Sequence, residues 1–203
     1  ATLLALLRAE QGLGDWGEVI RIARLLEKRD AMPREALQGI EVNARVAMLS
    51  RKALDLRSVA EYWQTVPAAE QRLPKIAGAA ARAWTDLGDA RAARGVIEAA
   101  LGESWDPELV LLYSECPGEE AVSRVERAEG WLVAHPQDPE LLLTLGRLCA
   151  QRELWGKSRS YLEASLALSP GREVHIALAR LCERIGLEAE ASRHYRAAAQ
   201  SQG

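Results

Sequence analysis

Cys116, Cys149 and Cys182 have the widest chemical range of any side chains in this 203-residue chain, and they recur at intervals of 33 residues. A thiolate can be a nucleophile, a metal ligand or half of a disulfide. Their number is odd and no CxxC pair exists, so neither a disulfide framework nor a zinc site is expected. The interval matches a helical repeat, which gives each cysteine the same place on successive helix pairs. Such places lie about 10 Å apart, beyond disulfide reach. They read as buried, reduced thiols. Cys116 differs in being followed by Pro117. Cys-Pro serves as a thiolate haem ligand in some regulated proteins, which makes Cys116 a speculative haem ligand. Proline after a helix end is also ordinary punctuation.

His135, His175 and His194 read as dispersed, and no Cys–His pair is expected to converge. Ser192 and His194 are near neighbours that face apart on a helix. Glu119 and Glu120 fall at a helix start, where carboxylates complement the helix dipole. No catalytic residue, metal site or obligatory cofactor is assigned, and the chain reads as a binding protein and not an enzyme.

The arginines form the most suggestive pattern. Arg82, Arg147 and Arg180 each follow the small residue of a repeat's first helix, and Ser114 takes that place in an irregular repeat. Arg8 and Arg45 precede Arg82 at intervals of 37 residues. First helices line the groove of a helical-repeat stack, so these five guanidiniums are the candidate partner-binding groove. Arginine binds carboxylates bidentately. Glu140, Glu173 and Glu183 are close enough in sequence to neutralise them.

The elements that must hold these residues follow from small-large-small sets in register. With the small residue of helix A numbered 8, positions 20, 24 and 27 of helix B are Ala93, Ile97 and Ala100 opposite Ala81. They are Ser158, Leu162 and Ser165 opposite Gly146, and Ala191, Tyr195 and Ala198 opposite Ala179. Small residues let two backbones approach, and a branched side chain there would overpack. Leu-Gly-Arg-Leu-Cys at 145–149 and Leu-Ala-Arg-Leu-Cys at 178–182 repeat near the tetratricopeptide period. Gly14, Gly88 and Gly186 sit where helix A should end. Asp106-Pro107 and Asp138-Pro139 read as an N-cap followed by proline at the first helical position. Pro67, Pro136 and Pro170 close second helices.

The expectation is an all-α, tetratricopeptide-like α-solenoid of about six antiparallel pairs in a right-handed superhelix, forming one domain over 1–203 without a dividing linker. The predicted pairs are 1–12 with 15–29, 34–51 with 55–66, 71–87 with 89–101, 106–115 with 118–134, 138–152 with 155–168, and 172–185 with 187–200. The second and fourth fit the pattern least well.

Composition agrees. The chain is 48% hydrophobic and 27% charged, rich in Ala, Leu and Arg, and lacks Phe. A formal net charge of −3 argues against a nucleic-acid partner. No apolar run reaches the roughly 18–20 residues that span a membrane. The chain does not begin with Met, so a part of a longer protein is expected, with any membrane contact in a segment preceding this one.

Arg8-Ala-Glu-Gln-Gly-Leu-Gly-Asp-Trp16, Tyr62-Trp63-Gln64 before Val66-Pro67, the Ala-rich repeat at 77–101, the short pair around Cys116 and the terminal repeats from Pro139 to Ala198 occur in an order that resembles the C-terminal tetratricopeptide domain of the HemY family of proteobacterial haem-biosynthesis operons. The resemblance implies an anchored N-terminal part and association with the inner membrane, with this domain facing the cytoplasm. It implies a role in a late step of protohaem synthesis, with the pathway's late enzymes as protein partners. A flavin-dependent oxidase shares the family's name, but this chain has no glycine-rich dinucleotide fingerprint. A tetrapyrrole carrier, with propionates on the arginines, and a generic tetratricopeptide adaptor of another membrane-associated assembly are the alternatives.

Overall fold

The computed structural model describes residues 2–118 and 121–201, without the side chains of 121–123. Every regular element among the described residues is helical: α1 (Leu3–Leu13), α2 (Trp16–Lys28), α3 (Arg34–Lys52), α4 (Leu56–Thr65), α5 (Ala68–Gln71), α6 (Pro74–Asp86), α7 (Ala90–Leu101), α8 (Pro107–Glu115), α9 (Ala121–Trp131), α10 (Pro139–Gln151), α11 (Trp155–Leu168), α12 (Arg172–Arg184) and α13 (Glu188–Gln200). No helix of the described residues is long and apolar enough to cross a membrane. The chain forms two compact units, the first ending at Trp105 and the second beginning at Asp106.

Helix ends follow the punctuation. Gly14, Gly88 and Gly186 are left-handed, with φ of 71°, 86° and 78°. The N–H of Asp89 then reaches back to the Trp84 carbonyl at 2.8 Å, and that of Leu187 to the Cys182 carbonyl at 2.8 Å. This satisfies carbonyls that a helix end would leave open. In the α10–α11 pair the left-handed residue is Glu153, at φ 57°. Asp15, Asp89, Asp106 and Asp138 each accept a backbone N–H from the first turn of the helix they precede.

In the first unit, Leu7 of α1, Val19, Ile22 and Leu26 of α2, and Leu37 and Ala44 of α3 form one buried cluster. The α6–α7 pair closes on Ala81, Ala93, Ile97 and Ala100, all 0% exposed. Trp84 packs edge-on against Trp63 of α4, centroids 5.3 Å apart. The unit departs from the predicted pairing at 67–72. There Pro67 ends α4 and starts the four-residue α5, absent from the predicted set of twelve helices. Gln71 fastens this turn by donating to the Trp63 and Val66 carbonyls at 2.8 and 3.1 Å.

In the second unit, α10 packs against α8, α9, α11 and α12, and α12 packs against α11 and α13. First helices thus touch first helices of the next pair, as in a tetratricopeptide-like α-solenoid. Leu143, Leu162, Val174, Leu178 and Leu181 interleave across three helices, so the core lies between pairs and not within one. The serines at small positions hydrogen-bond onto helix A: Ser158 Oγ donates to the Gly146 carbonyl and Ser165 Oγ to that of Pro139, both at 2.8 Å. Gly146 is needed for space. A Cβ there would stand 2.4 Å from Leu162 Cδ2 and 2.5 Å from its Cγ. Tyr195 departs from expectation. It occupies a large core position yet is 38% exposed. No described helix follows α13 to cover it, and its hydroxyl donates to Glu183 at 2.9 Å.

Candidate protein-binding cleft

The first helices α8, α10 and α12 of the second unit surround a cleft of about 680 Å³. Its lining includes the small and apolar Gly146, Ala177 and Leu181, together with Arg147, Arg180 and Arg184 and the carboxylates Glu115, Glu173 and Glu183. Helix periodicity explains the composition. Positions 8 and 11 turn inward to pack, so position 9 and the last turn project toward the opening.

The cleft is not a uniformly basic ladder. Arg147 Nη2 is 2.6 Å from Glu173 Oε2, so its charge is already matched. Glu183 is held by the Tyr195 hydroxyl; that bond, then partial burial, pushes the Tyr195 pKa up. Arg180 is exposed and forms no hydrogen bond or ion pair among the described residues, and the same holds for Arg184. These two are the guanidiniums available to a ligand. Glu140, the third predicted counter-ion, forms no ion pair among the described residues.

The remaining arginines of the predicted ladder are in the first unit. Arg8 on α1 and Arg82 on α6 are exposed and form no ion pair among the described residues. Arg45 is a correction: its side chain is only 7% exposed and its Nε lies 2.7 Å from Glu70 Oε2. Its Nη1 also donates to the Tyr62 hydroxyl at 3.4 Å. Burial opposes its charge, but the bonds to Tyr62 and Glu70 outweigh burial and its pKa rises. The equal interval of 37 residues hid this, because α3 is a 19-residue helix whose partners α4 and α5 enclose Arg45. Arg45 holds three elements together and is not open to a groove ligand.

Arg124 was not singled out from the sequence. It is buried on α9 and donates to the Cys116 carbonyl at 2.6 Å, the Gly118 carbonyl at 3.2 Å and Gln151 Oε1 at 3.0 Å. Gln151 Nε2 donates in turn to the Ser114 carbonyl at 3.0 Å. This network fastens the turn after α8 against α10. Glu119 and Glu120 lie outside the described residues.

All three cysteines are buried, as their spacing predicts, and none is in a disulfide among the described residues. Cys116 is 1% exposed, with Sγ donating to the Leu112 carbonyl at 3.6 Å, so a haem ligand there would have to give up an inward-facing bond. Burial, with the charge of Glu129, pushes the Cys149 thiol up to about 11. The expectation that no cysteine meets a histidine is corrected at the last pair. Cys182 of α12 and Glu190 and His194 of α13 offer ligand atoms all within 4.8 Å of one another. His175 Nδ1 lies 3.1 Å from His194 Nδ1. His175 and His194 are 19 residues apart, so only the turn at Gly186 brings them together.

No family model matches the chain, and no curated protein matches it. Among solved structures it is similar to one titled "MamA MSR-1 C2", at 17% identity and a TM-score of 0.47, over 78% of this chain and 92% of that one. It is also similar to one titled "Crystal structure of MamA", at 12% identity and a TM-score of 0.47, over 82% of this chain and 92% of that one.

Proposed function

We propose that this chain is a protein-interaction scaffold and not an enzyme, and that the cleft of its second unit binds an acidic segment of a partner protein. The observation that carries the reading is the pair of free guanidiniums, Arg180 and Arg184, in a lining shared with the apolar Ala177 and Leu181. A peptide could lay an apolar side chain on those two residues and a carboxylate between the two arginines. Arginine forks gain most when partly shielded from water. The neighbouring carboxylates Glu115 and Glu173 would repel a uniformly acidic strand, which favours a partner with carboxylates at particular positions.

The partner proposed is a late enzyme of protohaem biosynthesis, with the scaffold at the inner membrane through a segment beyond this chain and its repeats in the cytoplasm. That finer reading rests on the resemblance to the HemY family. The test is a pull-down of the purified late enzymes with the wild-type chain and with Arg180→Glu/Arg184→Glu. Retention of one enzyme by the wild type, lost in the variant, supports the reading. Failure of every late enzyme to bind would remove the haem-pathway partner, and equal retention by the variant would remove the cleft.

A further inference from the structure

We propose that Cys182, Glu190 and His194 form a binding site for a zinc-type divalent cation between α12 and α13, with His175 orienting His194. Their ligand atoms lie within 4.8 Å of one another. Zinc bonds of about 2.0–2.3 Å set ligand atoms roughly 3.3–3.6 Å apart in a tetrahedron, so side-chain rotation of about 1 Å completes the site without moving either helix. Sulfur, imidazole and carboxylate together select a borderline-soft ion over magnesium or calcium.

The repeat supplies an internal comparison. His175, Cys182, Glu190 and His194 stand 33 residues after Leu142, Cys149, Lys157 and Tyr161. In the α6–α7 pair the corresponding residues are Ala77, Trp84, Ala92 and Val96. Cys149 already places a thiol at the second of these positions, while the other positions carry apolar, aromatic or cationic side chains in both earlier pairs. Of these three pairs, the last alone adds two histidines and a carboxylate, so that all four positions can ligate a metal or orient a ligand.

The surroundings suit an ion. Arg159 Nη2 contacts Glu190 Oε1 at 2.6 Å, leaving Oε2 as the ligand oxygen. The charge of Arg159 is also met by Glu163 at 2.7 Å, so Glu190 is not fully neutralised without the cation. Cys182 is buried whereas Glu190 and His194 are half-buried, which gives solvent access and leaves the fourth position to water. His175 holds one nitrogen of His194 at 3.1 Å, the arrangement by which a neighbour fixes the ring of a ligating histidine.

The test is titration of the reduced 203-residue chain with Co²⁺, followed by Zn²⁺. One equivalent of Co²⁺ should produce a thiolate-to-cobalt charge-transfer absorption that Zn²⁺ abolishes. The melting midpoint should rise with free Zn²⁺. Cys182→Ser and His194→Gln should each remove the absorption while retaining wild-type helicity, and Cys149→Ser should keep it. His175→Ala should weaken affinity about 10–100-fold without removing the band, as expected of a positioning residue. Absence of the absorption in the folded wild type, or its persistence in both Cys182→Ser and His194→Gln, would overturn the site. If Cys182→Ser fails to fold, the half-exposed His194→Gln decides. None of these readouts depends on a protein partner in the cleft.

Discussion

Gly146→Ala probes the close helix contact on which the repeat depends. The added Cβ would meet Leu162 Cδ2 at 2.4 Å and Cγ at 2.5 Å, against an ordinary carbon–carbon separation of about 3.5–4.0 Å. The shortfall is more than about 1 Å, and it involves the branch atom of a side chain that is 1% exposed. Rotation of the Leu162 methyls cannot relieve it, so α10 and α11 must separate or Leu162 must leave its rotamer. Overpacking of this kind costs about 1–3 kcal/mol. Replacing a helical glycine with alanine returns up to about 1 kcal/mol of helix propensity, so a net loss of about 1–2 kcal/mol is expected. Gly95→Ala on α7 is the control, because a Cβ there meets nothing within 4 Å. It should gain up to about 1 kcal/mol. Urea midpoints followed by circular dichroism would compare the two, and Gly146→Ala in a Leu162→Ala background should lose its penalty. If both alanine variants melt above the wild type, the helix contact is looser than described.

Arg45→Ala should cost about 2 kcal/mol, less than an isolated buried ion pair because Glu70 also holds Arg24. A urea midpoint equal to the wild type would show that this junction is not structural. Glu41 is pushed above its usual pKa by burial, partly offset by Arg24. The folded state therefore binds its proton more tightly than the unfolded state does, and a penalty appears as pH rises from the ordinary value of 4.5 through its folded pKa. Glu41→Gln should thus gain on the wild type as pH rises above 4.5, and a stability difference that does not change with rising pH would contradict the assignment.

Much of the scaffold was legible because each repeat imposes a local rule. Ala81, Gly146 and Ala179 announce close helix crossings, and Gly14, Gly88 and Gly186 announce the turns, within windows of about 34 residues. Legibility failed where the rule is interrupted or where a contact depends on the turn between helices. The α5 turn at 68–71 has no counterpart in the other pairs, and it supplies the Glu70 that buries Arg45. Spacing alone could not separate Arg45 from the exposed Arg8 and Arg82. Cys182, Glu190 and His194 become neighbours only once α13 folds back on α12. A comparison of positions 4, 19 and 23 among pairs would have found the neighbours of Cys182, because those three change chemical type together while position 11 is already a cysteine in Cys149. Position 9 did place Arg147 and Arg180 on one cleft, but sequence could not tell that Glu173 claims Arg147 and leaves Arg180 open.

Calorimetric titration of a purified late protohaem enzyme into the wild-type chain and into Arg180→Glu/Arg184→Glu, at low and high salt, tests the central claim most directly. Both arginines are exposed, so the reversal should leave melting nearly unchanged. The account predicts a wild-type affinity that falls with salt. It also predicts at least about a tenfold weaker complex for the variant, equivalent to about 1.4 kcal/mol, from like charges meeting across a partly desolvated interface. Equal affinity for the two proteins at low salt would contradict it.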